Sequence, residues 1–158
     1  KREPWHYPAI APIIKKWWKL RYTLIPYIIA QSRKAISSGA PLLQALIFHH
    51  PEDKLCWHID DEYYFGNDFL VAPVMNSENR RDVYLPEGQW VNFFTGEVLE
   101  GGRWLKDLDV PLDEMPVYVR QGATIPVYPD EVECTDEMDL SKSAELHIDN
   151  HFKGIFKD

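Results

Sequence analysis

The sequence predicts a mainly β chain, an antiparallel β-sandwich preceded by one long N-terminal helix. Three observations carry that reading. From residue 69 onward, short strand-like runs recur about every ten residues between clear turns, the rhythm of an antiparallel sandwich or barrel. Ahead of them, apolar residues repeat at helical spacing from Ala9 onward. Finally, 45% apolar and 13% aromatic residues in 158 are enough to fill a core.

Lys1 to Tyr7 is irregular and interrupted by proline. The helix is expected over about Pro8 to Ser38, with Ile10, Ile14, Trp17, Leu20 or Arg21, Leu24 or Ile25, and Ile28 on one side. Pro12 fits a first turn, whereas Pro26 removes an internal hydrogen bond and predicts a kink. Ser37-Ser38-Gly39 supplies the stop, Gly39 as a left-handed cap. Trp17, Trp18, Tyr22, Tyr27 and Ile29 spread apolar surface around the helix, so it needs partners on more than one side. Lys15, Lys16, Lys19, Arg33 and Lys34 cover the face left in water.

Leu42 to Phe48 reads as a strand ended by His49-His50-Pro51. Asp60-Asp61-Glu62 before Tyr63-Tyr64-Phe65 reads as a capped helical turn, followed by a turn at Gly66-Asn67-Asp68 and a buried strand at Phe69 to Val74. Further strands are expected at Asp82 to Leu85, Trp90 to Phe94, Glu97 to Leu99, Arg103 to Leu108, Pro116 to Arg120 and Thr124 to Val127. Their separators, Pro86-Glu87-Gly88, Thr95-Gly96, Gly101-Gly102 and Gln121-Gly122, can make tight turns. Asp130 to Ser143 reads as an acidic linker or exposed arm. Ala144 to Ile148 is one more strand, before the turn-like Asp149-Asn150 and the aromatics Phe152 and Phe156.

The formal charge of −8 is uneven: residues 1–40 hold eight Lys and Arg against Glu3 alone, or +7, and residues 41–158 hold nine against 24 acids, or −15. That balance argues against nucleic acid and anionic lipid as partners. No apolar run approaches the roughly 18 residues of a membrane span, and no signal peptide opens the sequence. Cys56 and Cys134 lie in unlike contexts without CxxC spacing, which is compatible with a reducing, cytoplasmic compartment. A first residue of Lys1 rather than Met suggests a piece of a longer polypeptide.

Candidate chemistry is sparse. Asp60 and Asp61 are a carboxylate pair by composition, and adjacent carboxylates at the start of a helical turn more often cap it. Asp107, Asp109 and Asp113 sit among strand and turn residues. Cys56 lies beside Trp57 and His58 without a nucleophile motif. His49 and His50 on an extended chain point to opposite sides, so with His58 they do not form a chelating set. No phosphate-cradling loop is present and no cofactor is expected. Trp90, Phe93, Phe94 and Trp104 could form a sugar-stacking face or a sandwich core.

Several segments in one order resemble the C-terminal region of family-31 glycoside hydrolases, the α-glucosidase and α-xylosidase group. They are Arg2-Glu3-Pro4-Trp5, Leu20 to Ile28, Asp61 to Gly66 running into Val71 to Val74, Val83 to Trp90, Pro116 to Pro126 and, more weakly, Leu146 to Asn150. The sequence departs from the family pattern at Gln44 and at Phe48-His49-His50-Pro51. The resemblance implies that residues 1–40 are the last helix of a catalytic (β/α)8 barrel, 41–128 a proximal β-sandwich, and 129–158 a linker and the start of a distal β domain. It implies an α-linked oligosaccharide substrate and an upstream barrel packed on residues 1–40. It also implies that the catalytic carboxylates precede Lys1, so no residue here is assigned a catalytic role. The rival expectation is a noncatalytic carbohydrate-binding sandwich built on the strand aromatics.

Overall fold

The computed structural model describes residues 3–155. Arg2 of the first matching segment and Phe156 of the terminal aromatic pair lie outside the described residues.

Two helices, rather than one kinked helix, lead the chain: α1 (Ala11–Thr23) and α2 (Ile25–Ser38). Pro12 occupies the first turn of α1, where its missing N–H has no partner to lose. Leu24 leaves the helical region, with φ −89° and ψ 3°, two residues ahead of Pro26. Pro26 has no N–H for the carbonyl four residues back, so α1 ends, and the ring sits in the first turn of α2, which tolerates it. Gly39, at φ +77°, closes α2 and donates to the Ala35 carbonyl at 2.9 Å, as the sequence suggests.

The chain divides into two compact units, Lys1–Ala30 with Ile125–Leu146 and Gln31–Thr124 with His147–Asp158. The second unit holds β1 (Leu43–Ala45), β2 (Tyr63–Phe65), β3 (Phe69–Val71), β4 (Arg80–Leu85), β5 (Gln89–Asn92), β6 (Val98–Glu100), β7 (Arg103–Asp109) and β8 (Val117–Arg120). Six of them form an antiparallel sheet in the order β1-β2-β3-β8-β5-β6. β4 and β7 form a separate antiparallel ribbon. Tyr64, Leu70, Trp90 and Tyr118 of the sheet share one core with Val83, Tyr84 and Leu85 of β4, and Leu105 and Leu108 of β7 pack on it. On the opposite face Phe69 meets Phe93 edge-on at 4.9 Å, and Phe93 stacks on Phe152 at 6.0 Å. Burial on both faces explains why β3 is apolar at every position instead of alternating. The molecule is thus mainly antiparallel β behind N-terminal helices.

Two local expectations change. Only Leu43–Ala45 of the Leu42 to Phe48 run is strand; Leu46–Phe48 turns as a 3-10 helix, which lets Leu46 enter the core. The carboxylates at 60–62 do not start a helical turn. Tyr63-Tyr64-Phe65 form β2, paired with β1 on one side and β3 on the other. Three consecutive aromatics favour a pleated, packed surface over a helix. The Gly66-Asn67-Asp68 turn is where the sequence puts it, with Gly66 at φ +65° joining paired Phe65 and Phe69.

Mostly within the first unit, β9 (Thr124–Val127) pairs with β10 (Ala144–His147). The acidic segment between them makes two exposed 3-10 turns, Thr135–Glu137 and Leu140–Lys142. It is tied down locally: Tyr128 N–H donates to Thr23 O at 2.8 Å, the Tyr128 hydroxyl accepts from Asp139 N–H at 3.1 Å, and Lys19 pairs with Glu131 at 2.8 Å.

Candidate functional site

The second unit contains two polar clusters, each centred on an arginine. Arg81, buried on β4, places Nη2 3.1 Å from Asp61 Oδ2 and 3.5 Å from Glu62 Oε1. Its remaining donors serve backbone carbonyls of Asp61, Pro73 and Asp82. Glu62 Oε1 also accepts from Tyr84 N–H at 2.8 Å, while Oε2 has no partner among the described residues. The Glu62 side chain is fully buried. Burial pushes its carboxyl up to about 7, against the downward pull of the Tyr84 N–H and Arg81; nearby Asp61 pushes it further up.

Arg120, at the end of β8, faces aromatic rings instead. Its guanidinium lies 5.2 Å from the Tyr64 ring centre and 5.3 Å from that of Trp90. Arg120 Nη2 donates to the Tyr64 hydroxyl at 3.1 Å and Nε to Asn67 O at 3.3 Å. That hydroxyl shares a 2.7 Å hydrogen bond with His50 Nε2, and His49 stacks on the Tyr64 ring at 4.0 Å. The two histidines therefore gather on one tyrosine rather than pointing to opposite sides. His49 caps the 3-10 turn at φ −97° and ψ −24° and is not extended. Burial, Arg120 and His50 lower the His49 pKa to about 4. Burial and then Arg120 lower that of His50, against the upward pull of Glu52 and Asp53.

The other sequence candidates fall apart spatially. Asp60 is exposed. Asp107 makes a two-pronged ion pair with Arg80, at 2.6 and 2.7 Å. It stands in a bulge of β7 at φ +55°, where its N–H and Lys106 both bond Asp82. Cys56 is buried, and burial with the neighbouring Asp53 carboxylate pushes its thiol up to about 12. It is no thiolate, and His58 is exposed. Among the described residues no group of three or more His, Cys, Asp or Glu is placed to hold a metal ion. No described helix is long and apolar enough to cross a membrane.

The aromatic face does not form either. Trp90 is fully buried with Nε1–H on Pro86 O at 2.8 Å, and Phe93 is fully buried against Phe69 and Phe152. Phe94 is half-buried beside Phe93 at 5.8 Å, and Trp104 reaches the surface beneath Lys106 at 4.6 Å, so the four do not share one exposed face. Arg81, Glu62 and Arg120, which organise the clusters, are not among the sequence candidates. A pKa near 7 suits a general acid, but an enclosed Glu62 touches no solvent and can reach no substrate. Both clusters hold strands together.

Residues 39–125 match the glycosyl hydrolase family 31 C-terminal domain. The chain is 33% identical over 159 residues to alpha-glucosidase 2 of Bacillus thermoamyloliquefaciens, covering 99% of this chain and 19% of that protein. It is 37% identical over 139 residues to an alpha-xylosidase of Saccharolobus solfataricus, covering 86% of this chain and 19% of the relative. Among solved structures, the dextranase of Flavobacterium johnsoniae complexed with glucose superposes with a TM-score of 0.80 at 36% identity, over 85% of this chain and 17% of that one. The chain thus spans about a fifth of the length of the curated relatives just described.

Proposed function

The chain belongs to glycosyl hydrolase family 31, and on that premise we propose that it is the C-terminal part of a retaining α-glycosidase hydrolysing α-linked glucose or xylose. The match over residues 39–125, shared with glucosidase and xylosidase relatives, is the observation that carries the proposal. In this reading residues 1–40 complete the outer ring of a catalytic (β/α)8 barrel. Residues 41–128 are the proximal sandwich, and 129–158 lead to a distal β domain. Exposed Trp5, Tyr7 and Trp18 near the N-terminus support a large apolar partner for this region.

A retaining glycosidase needs two carboxyls about 5 to 5.5 Å apart facing the sugar. Asp61 and Glu62 both face Arg81 instead, and Glu62 is enclosed. The 158-residue chain is therefore catalytically silent in this proposal, and it braces a barrel that performs the chemistry through a glycosyl-enzyme intermediate.

The test compares this chain with a longer polypeptide that adds the preceding barrel, using aryl α-glucoside and α-xyloside. Only the longer polypeptide is expected to turn over, releasing α-configured sugar by NMR. Turnover by the 158-residue chain that survives replacement of both Asp60 and Asp61 by asparagine would sink the silent-chain reading. A β-configured first product would sink the retaining one.

A further inference from the structure

At the C-terminal end of α2 the second unit opens a cleft of ≈ 270 Å³, near the small end of ligand-sized pockets, about 300 Å³. Its polar wall comes from three elements: Gln31 and Lys34 of α2, Gln44 of β1, and Asn67 at the tip of the β2–β3 hairpin. Gln31 is only 6% exposed. The cleft is the space its side chain lines. Gln44, also buried, fixes its NH2 on Pro41 O at 2.7 Å and leaves its carbonyl oxygen as an acceptor. The Ser37 and Ser38 hydroxyls turn back to Lys34 O at 3.0 and 2.8 Å and are already engaged.

The charge pattern selects among ligands. Lys34 is the one charged side chain in the lining, and the C-terminal end of a helix opposes an anion. Three amides offer donors and acceptors side by side, the complement of hydroxyl groups that both donate and accept. We propose that this cleft is a binding site for a neutral polyhydroxylated ligand, a short saccharide held by the amides of Gln31, Gln44 and Asn67. The site rests on the donor and acceptor set; the α-glycosidase reading enters only in choosing α-glucans as probes.

The 158-residue chain is titrated with maltotriose and isomaltotriose while the side-chain amide signals are followed by NMR. Saturable shifts are expected at Gln31, Gln44 and Asn67. Gln31→Leu and Asn67→Ala are each expected to weaken binding about tenfold or more, the scale of one lost hydrogen bond to a buried partner. Trp104→Ala is expected to leave affinity unchanged. Asn67 is exposed at a hairpin tip, so its variant tests the site even if Gln31→Leu disturbs folding. Absence of saturable shifts, or affinity indifferent to both amide variants, overturns the proposal. Preferential binding of inorganic phosphate at the same residues overturns the neutral-ligand assignment. Shifts in this chain with neither α-glucosidase nor α-xylosidase activity in the longer polypeptide would refute the proposed function and leave the site standing; either activity without shifts would do the reverse.

Discussion

Arg81 and Arg120 lie in the same unit, the first buried and the second half-buried, and their guanidiniums are held differently. Arg81 meets two carboxylates and a set of carbonyls, whereas Arg120 lies against Tyr64 and Trp90 and donates to a hydroxyl and a carbonyl. Each cluster also contains one enclosed polar atom without a partner among the described residues, Glu62 Oε2 in the first and His49 Nε2 in the second. The difference sets opposite responses to protons. Glu62 is raised from 4.5 to about 7, so between those values the unfolded chain gives up a proton that the folded chain keeps, and stability falls as pH rises. His49 is lowered from 6.5 to about 4, so the unfolded chain takes up a proton first, and stability falls as pH falls. Two clusters in one core therefore pull the pH profile in opposing directions over much the same window.

The largest test removes the charge partner. Arg81→Leu leaves buried Glu62 without its cation and should lower unfolding free energy by about 3–5 kcal/mol at pH 8 in urea titrations. The loss should shrink at pH 5, where Glu62 carries its proton. Equal losses at both pH values would show that packing, not charge, holds the cluster.

Separating the two pH limbs comes next. Glu62→Gln should remove a pH 5 to pH 8 difference on the order of 2–3 kcal/mol, leaving stability that rises with pH between about 4 and 6.5. His49→Phe keeps the ring on Tyr64 and should leave the opposite slope, falling from 4.5 to 7. Parallel slopes in the two variants would abolish the contrast. A smaller effect belongs to Tyr64→Phe, which deletes the hydroxyl serving His50 and Arg120 and should cost about 1–3 kcal/mol. It should leave the Glu62 limb intact. Asp61→Asn is the weakest change: its side chain is half exposed, and thermal unfolding should register about 1 kcal/mol or less. A larger loss would make the outer carboxylate an equal partner of Glu62.

The framework was legible in the sequence wherever glycine and proline punctuated it. The strands after residue 69 lie close to their expected places because Gly88, Gly96, Gly102 and Gly122 all take positive φ between or beside them. Pro26 marked trouble in the helix, but local sequence could not decide between a kink and a break. Asp60 to Phe65 misled because acids before aromatics look like a cap, while the pairing of β2 with β1 and β3 decided the outcome. The clusters were less legible. Arg120 resembles a solvated strand-end charge, and its partner Tyr64 lies 56 residues away. Arg81 and Glu62 are 19 residues apart and meet only once β4 crosses the core.

The place of β8 has a consequence for biosynthesis. It lies in the interior of the six-stranded sheet, between β3 and β5, yet it is the last of the six strands to be made. Until Val117–Arg120 is available, β3 and β5 each expose an unpaired edge, and the aromatic seat of Arg120 is empty of its cation. Closing the sheet is a long-range event that must wait for synthesis to reach β8, so the six-stranded sheet is expected to close late. The intervening ribbon of β4 and β7 pairs within itself, which lets a growing chain complete that piece of structure while the sheet's two halves wait for their common strand.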